Sequence, residues 1–270
     1  MKQSAFGLRL GLLTLLIGAG GPAFATDKPL RVMSLDQCAD QYILALRPDA
    51  KIRLSNRADD SDSHMREQAR GVPTIRPTLE SAVAFKPDVV VRYWGGDGRL
   101  LGRLERDGVV VASIDDSKDF AGVRSNIISV AAALKVPERG QQLIADMDQK
   151  LDRAKGRGEG RSATYMTASG FTAGPQTLID TVLSAAGFRN GTTTTGYQPL
   201  GLERTVMKPP VMFVLGFFER VLADWRGAGR HPVLKPLLQD RTVAQLPAST
   251  LTCPAWFAAD AALALAEDAQ

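Results

Sequence analysis

Two cysteines and two histidines, Cys38, Cys253, His64 and His231, are all the thiol and imidazole ligands this chain of 270 residues possesses. A bare transition metal is normally held by several such groups, so two histidines in different halves argue against a directly bound ion. The run Asp60-x-Asp62-x-His64 imitates the start of a calcium loop, but Met65 stands where that loop needs glycine and Gly71 where it needs the closing acid. It reads better as the capped start of a helix through Ala69. Gly96-x-Gly98-x-x-x-Gly102 follows an apolar run and opens a helical pattern, with Asp115 and Asp116 at the end of the next apolar run. This is the one arrangement that would suit an NAD(P)-binding enzyme. Its place on an internal strand weighs against that reading, and no Gly-x-Ser-x-Gly elbow, Walker loop or Cys-x-x-Cys pair is present. The sequence therefore predicts no catalytic residue and no cofactor.

The elements that carry these residues come in two sets. Leu79-Glu80-x-x-Val83-x-x-x-Pro87-x-x-x-Val91 recurs without gaps as Leu202-Glu203-x-x-Val206-x-x-x-Pro210-x-x-x-Val214, displaced by 123 residues. Each copy is a short helix with an acid near its start, ended by proline before a buried strand. The period is far too long for a solenoid and points to two similar lobes with a cleft between them. Strands are expected at Val32–Ser34, Ile52–Leu54, Val89–Val91 and Val109–Ile114, then at Ala163–Thr167, Val211–Leu215 and Thr242–Leu246. Helical patterns alternate with them: to Leu46, Arg99–Arg106, Thr177–Ala186 and after Pro254. Such alternation predicts an α/β fold with parallel sheets. Between the sets, Leu143, Ile144, Met147 and Leu151 line one face of a pattern from Glu138 to Lys155, a single long helix joining the lobes.

Lys2 and Arg9 precede the apolar stretch Leu10–Ile17 and the small-residue site Ala23-Phe24-Ala25, an export signal cleaved after Ala25. No cysteine sits at the cleavage site, so the expected product is a soluble periplasmic protein without a lipid anchor. The expected domains are residues 1–25 as signal, 26–137 as the first lobe, 138–160 as connecting helix and linker, and 161–270 as the second lobe. Cleavage removes two basic residues and no acids, leaving a formal charge of +2 rather than +4, spread along the chain. That excludes a nucleic-acid footprint. In an oxidising compartment Cys38 and Cys253, one after the first strand and one after the last, are expected to pair. Two inert thiols, or soft ligands to a bound metal complex, are the alternatives.

From Arg31 to about Leu265 the chain resembles the substrate-binding proteins of ABC importers that take up cobalamin, haem and ferric siderophores. The matching residues are Arg31-Val-Met-Ser34, Leu79-Glu80, Lys86-Pro87-Asp88-Val89-Val90, Arg92-Tyr93-Trp94-Gly95-Gly96, Phe171-Thr172-Ala173-Gly174, and Leu202-Glu203 with Pro210. The resemblance implies a monomeric receptor with two lobes, a rigid connecting helix and a ligand held between the strand ends. It implies that Glu80 and Glu203 meet arginine pockets on an inner-membrane permease, although each acid also favours its own helix start. Open α/β sheets bind ligands at the carboxyl ends of their strands. The expected contacts are Asp36, Gln37, Arg57, Arg92, Tyr93 and Trp94 from the first lobe, and Phe171, Thr172, Tyr197, Phe217 and Trp256 from the second. Aromatic faces with arginine suit a large anionic metal chelate, with a ferric siderophore or similar metallophore first and cobalamin or haem second. A scaffold with no small ligand could share the same fold.

Overall fold

A computed structural model describes residues 28–220 and 226–269. The expected signal segment and its cleavage site lie outside the described residues. The first lobe holds strands β1 (Arg31–Ser34), β2 (Lys51–Ser55), β3 (Thr74–Ile75), β4 (Val89–Arg92) and β5 (Val110–Ser113). They form one parallel sheet in the order β3-β2-β1-β4-β5. Its helices are α1 (Gln37–Leu46), α2 (Arg66–Ala69), α3 (Leu79–Phe85), α4 (Gly98–Arg106) and α5 (Phe120–Ala133). Then α6 (Pro137–Ala154) leads to the second lobe.

That lobe contains β6 (Ser162–Thr167), β7 (Phe171–Ala173), α7 (Leu178–Ala185), β8 (Arg189–Asn190), β9 (Tyr197–Pro199) and α8 (Leu202–Met207). It continues through β10 (Met212–Gly216), α9 (Lys235–Arg241), β11 (Thr242–Leu246) and α10 (Ala258–Asp268). Its main sheet is parallel with order β11-β10-β6-β8, while β7 and β9 form a separate antiparallel ribbon. The order β5-β4-β1-β2 is the same as β11-β10-β6-β8. In both lobes the chain leaves its first strand in one direction and returns on the other side of it through the repeated helix, α3 or α8. Each lobe thus has a switch point beside its first strand, the place where open α/β sheets leave a crevice.

The duplicated motif is helix, turn and strand in both copies. Thr78 caps α3 by accepting from the Ser81 N–H, and Lys86 ends it in the left-handed region, which admits Pro87. The connecting helix covers Pro137–Ala154 against an expected Glu138–Lys155. Met147 is buried, and Leu143, Ile144 and Leu151 pack on the core as partly buried residues. Helices α5 and α10 both pack on α6, one from each lobe. The approach of α5 is close enough that a Cβ on Gly140 would lie 2.6 Å from the Ala131 methyl. Buried residues form one continuous cluster from Val32 and Tyr42 through Met147 to Val214 and Leu265, so the lobes share a core.

The expected helix start at Asp60–His64 is corrected. Residues 56–65 are turns, α2 has only four residues, and Met65 at its cap makes no side-chain bond. Asp62 is 3% exposed at its side chain because its carboxylate is used elsewhere, by Gln37 and by Arg220 of the second lobe.

Candidate functional site

At the carboxyl end of β1, Asp36 has the extended backbone of a helix cap and is 1% exposed. One carboxylate oxygen accepts from the Ala39 N–H at 3.0 Å. The other accepts from the N–H groups of Tyr93 at 2.7 Å and Gly95 at 2.9 Å. Asp36 is thus the joint that fixes the loop after β4 to the start of α1. Gly95 is required there, since a Cβ would come within 2.2 Å of the Leu35 carbonyl oxygen. Gln37, expected as a contact, is buried and donates to Asp62 Oδ1 and Ser63 Oγ, both at 3.0 Å. Thr172 is 2% exposed and its hydroxyl pairs with that of Thr192 at 2.8 Å. Trp256, expected in the cleft, is 6% exposed, with its ring against Tyr42 at 5.3 Å and Phe257 at 5.2 Å.

What remains open to solvent comes from both lobes. Held by Asp36, the loop after β4 presents Tyr93 half-buried and Trp94 at 53% exposure. In the ribbon, Phe171 pairs with Pro199 and Ala173 with Tyr197, so Phe171 and Tyr197 share one face. Both are exposed, at 44% and 64%. A cavity of about 190 Å³ lies between the lobes. Tyr93, Asp116 and Lys118 line it from the first lobe; Gln176, Tyr197 and Thr250–Pro254 line it from the second. The Tyr93 hydroxyl donates to Asp116 Oδ1 at 3.2 Å. Partial burial, then the Asp116 carboxylate beside it, push the Tyr93 phenol up to about 12, so it remains a neutral donor.

The arginines are otherwise engaged. Arg92 Nε donates to the Gly95 carbonyl at 2.6 Å, bracing the loop. Arg57 pairs with Asp60 at 2.8 Å, and its guanidinium lies 5.7 Å from the Trp94 ring centroid. Phe217 is half-buried directly after β10, with φ +63°. Among the described residues the charged cavity groups are then one acid, Asp116, and one base, Lys118. Lys118, Gln176 and Thr250 were not expected from sequence, and Asp116 entered only as the acid of the dinucleotide reading. The signal for Asp116 and Lys118 was present: they follow β5, and the strand-end rule applied to β4 applies equally there.

Cys38 and Cys253 are bonded, with Cα atoms 5.6 Å apart. Glu80 and Glu203 are exposed in the first turns of α3 and α8. Each helix runs back against its strands, so both acids stand at the carboxyl edges of their sheets. Its own backbone N–H and then the Thr78 hydroxyl hold the Glu80 carboxyl below the usual range. The glycine run has a structural explanation. Asp97 caps α4 by accepting from the Leu100 N–H at 2.8 Å, and Gly96 takes φ +89° against Leu35. Among the described residues no group of three or more His, Cys, Asp and Glu side chains could hold a metal ion, and no helix is long and apolar enough to cross a membrane.

A family model described as "Periplasmic binding protein" matches residues 32–250. The vitamin B12-binding protein of Pectobacterium carotovorum subsp. carotovorum (strain PC1) is 22% identical over 148 residues, 51% of this chain and 53% of that protein. The chain thus spans about half the length of the curated relative it matches. The fold is similar to that of the periplasmic heme-binding protein RhuT from Roseiflexus sp. RS-1 in apo form. That match has 21% identity, 90% of this chain and 100% of that one covered, and a TM-score of 0.70. It is also similar to the periplasmic heme-binding protein HutB of Vibrio cholerae, with 20% identity, 88% and 98% covered, and a TM-score of 0.70.

Proposed function

Because this chain belongs to the periplasmic binding protein family, a family of substrate-binding transport proteins and not of enzymes, we propose that it is the ligand receptor of an ABC importer for a metallated tetrapyrrole. It would work in the periplasm and pass its ligand to an inner-membrane permease. The dinucleotide reading has no support: the family is not enzymatic, and capping and packing account for the glycines. The reading takes residues 26–137 and 161–270 as the two lobes and 138–160 as their connection.

The observation that carries the ligand class is the pair of aromatic residues Tyr93 and Tyr197, which line one cavity from opposite lobes, with Trp94 exposed next to Tyr93 in its loop and Phe171 exposed on the ribbon face of Tyr197. Flat faces of this kind bury large area against a macrocycle. A ferric siderophore loses its main support because Arg57 and Arg92 already have partners. With one acid and one base among the described residues of the cavity, a corrinoid of low net charge fits better than a strongly anionic chelate. The named ligands of the relatives, vitamin B12 and heme, are both metallated tetrapyrroles.

Glu80 and Glu203 support permease docking by their equivalent, exposed positions at the two carboxyl edges. The test is calorimetric titration of the protein with cyanocobalamin, haemin and a ferric tris-catecholate. Binding to a tetrapyrrole with a Kd of about 1 μM or tighter, and tighter than to the catecholate, is expected. Preference for the catecholate, or no binding to any of the three, overturns the ligand class. Reversing both acids, Glu80→Lys with Glu203→Lys, should abolish cellular uptake and leave binding in solution unchanged; uptake that survives overturns docking.

A further inference from the structure

Beneath the cavity the lobes are joined by groups from several elements. Cys38, in the first turn of α1, is bonded to Cys253 across a sequence separation of 215, and both residues are buried. One turn along α1, the Tyr42 hydroxyl donates to the Pro254 carbonyl at 2.7 Å. To one side, Arg220 of the second lobe reaches the buried Asp62 of the first at 2.6 Å. Thr181 of α7 donates to the Lys118 carbonyl at 3.1 Å. Cys253 and Pro254 are also cavity wall. Segment 250–254 therefore follows β11 in the chain but rests on α1 of the opposite lobe.

We infer that the Cys38–Cys253 bond determines specificity by fixing the depth of the ligand cleft, so that a ligand inserts an edge or a side arm rather than its whole body. The inference rests on the cleft being the ligand site. The cavity measures about 190 Å³, whereas pockets that enclose a small molecule run from about 300 to 1,000 Å³. A deeper cleft requires segment 250–254 to move away from α1. A hydrogen bond and an ion pair can open and re-form, but a disulfide limits its Cα atoms to a separation of about 6.8 Å. From the present 5.6 Å, that leaves only about 1 Å of travel at the floor. Tyr197, which lines the cavity and is 64% exposed, then contacts the part of the ligand that stays outside.

The experiment compares the disulfide-bonded protein with the double variant Cys38→Ser/Cys253→Ser. If that variant does not fold, the apolar pair Cys38→Ala/Cys253→Ala replaces it. The first readout needs no ligand: amide hydrogen exchange in segment 250–254. Exchange faster by about tenfold or more in that segment, with the β1–β5 sheet unchanged, is expected. Unchanged exchange means that the non-covalent contacts hold the floor by themselves, and it overturns the inference. The second readout is selectivity between cyanocobalamin and dicyanocobinamide, which share a ring and differ in the bulk of the nucleotide arm. Loss of the bond should change the ratio of their dissociation constants by about fivefold or more. A change that is equal for both ligands, or confined to the melting temperature, overturns the specificity role. Should the native protein bind neither corrinoid, the tetrapyrrole reading fails, and the exchange arm still decides whether the bond fixes the floor.

Discussion

Replacing Asp36 with alanine separates a structural joint from a ligand contact. Its carboxylate accepts three backbone N–H groups, from Ala39, Tyr93 and Gly95, at 1% exposure. Loss of the helix cap costs about 1 kcal/mol. The N–H groups of Tyr93 and Gly95 are left without a partner in a largely buried loop, at about 1–3 kcal/mol each. Water can reach the Tyr93 side and relieve part of this, so the expected destabilisation is about 3–5 kcal/mol. Against a total of about 5–15 kcal/mol, that is severe. In a domain of this size it lowers Tm by roughly 6–20 °C. Thermal melts followed by circular dichroism, with urea titration as a second probe, measure it. Asp36→Asn keeps one acceptor oxygen but turns an amide N–H₂ towards a donor, so it should lose about half as much. A ligand contact would behave differently, losing affinity at constant Tm. If Asp36→Ala melts within about 2 °C of the unaltered protein, the joint is refuted.

Trp94 and Trp256 should divide in the same manner. Trp256→Ala, in the core against Tyr42 and Phe257, is expected to cost about 3–5 kcal/mol in urea unfolding. Trp94→Ala should stay within about 0.5 kcal/mol but weaken tetrapyrrole binding by about tenfold; equal stability losses at both sites would contradict the placement. Tyr42→Phe strands the buried Pro254 carbonyl and should cost about 1–3 kcal/mol by the same unfolding assay. Burial, opposed by bonds from Ser55, raises the Asp40 carboxyl from 3.8 to about 6. The folded state then holds this proton more tightly than the unfolded chain does. Its contribution is fully present below pH 3.8 and is lost as pH rises through about 6, a fall of about 3 kcal/mol. Urea unfolding at pH 4 and pH 7 should show that fall in the native protein and not in Asp40→Asn; identical slopes would reject it.

The elements were legible because helix and strand periods are local. The repeat, the long helix and strand β11 at Thr242–Leu246 follow from apolar spacing and proline placement. Helix α5 was passed over although Phe120, Val123, Ile127 and Val130 carry the spacing, and the β7–β9 ribbon has strands too short to read. The site was harder because burial depends on partners distant in sequence. Asp36 and Gln37 do lie at a strand end, but acceptor and donor demands from residues 59 and 25 positions away consume them. Trp256 looked available because its loop follows the last strand, and only tertiary packing brings Tyr42 against it. The residues that do face the cavity, Tyr93 and Tyr197, sit beside glycines that let their loops turn outward. Gly196 before Tyr197 has φ +82°.

The doubled topology explains why the pinning falls where it does. With equivalent sheet orders, β1 corresponds to β6 and β5 to β11, so the loops after β5 and β11 are counterparts. Both face the cavity, one supplying Asp116 and Lys118 and the other Thr250–Pro254. The helices that follow them, α5 and α10, both pack on α6. The lobes are thus already joined at the α6 side by one shared core. Cys38 is the second residue of α1, just past the end of β1, and its bond ties that strand-end edge to the loop after β11. A tie placed along α6 would restrain nothing that the core does not restrain already. At the cleft floor it holds the cleft at a fixed depth, and that depth selects which part of a ligand can enter.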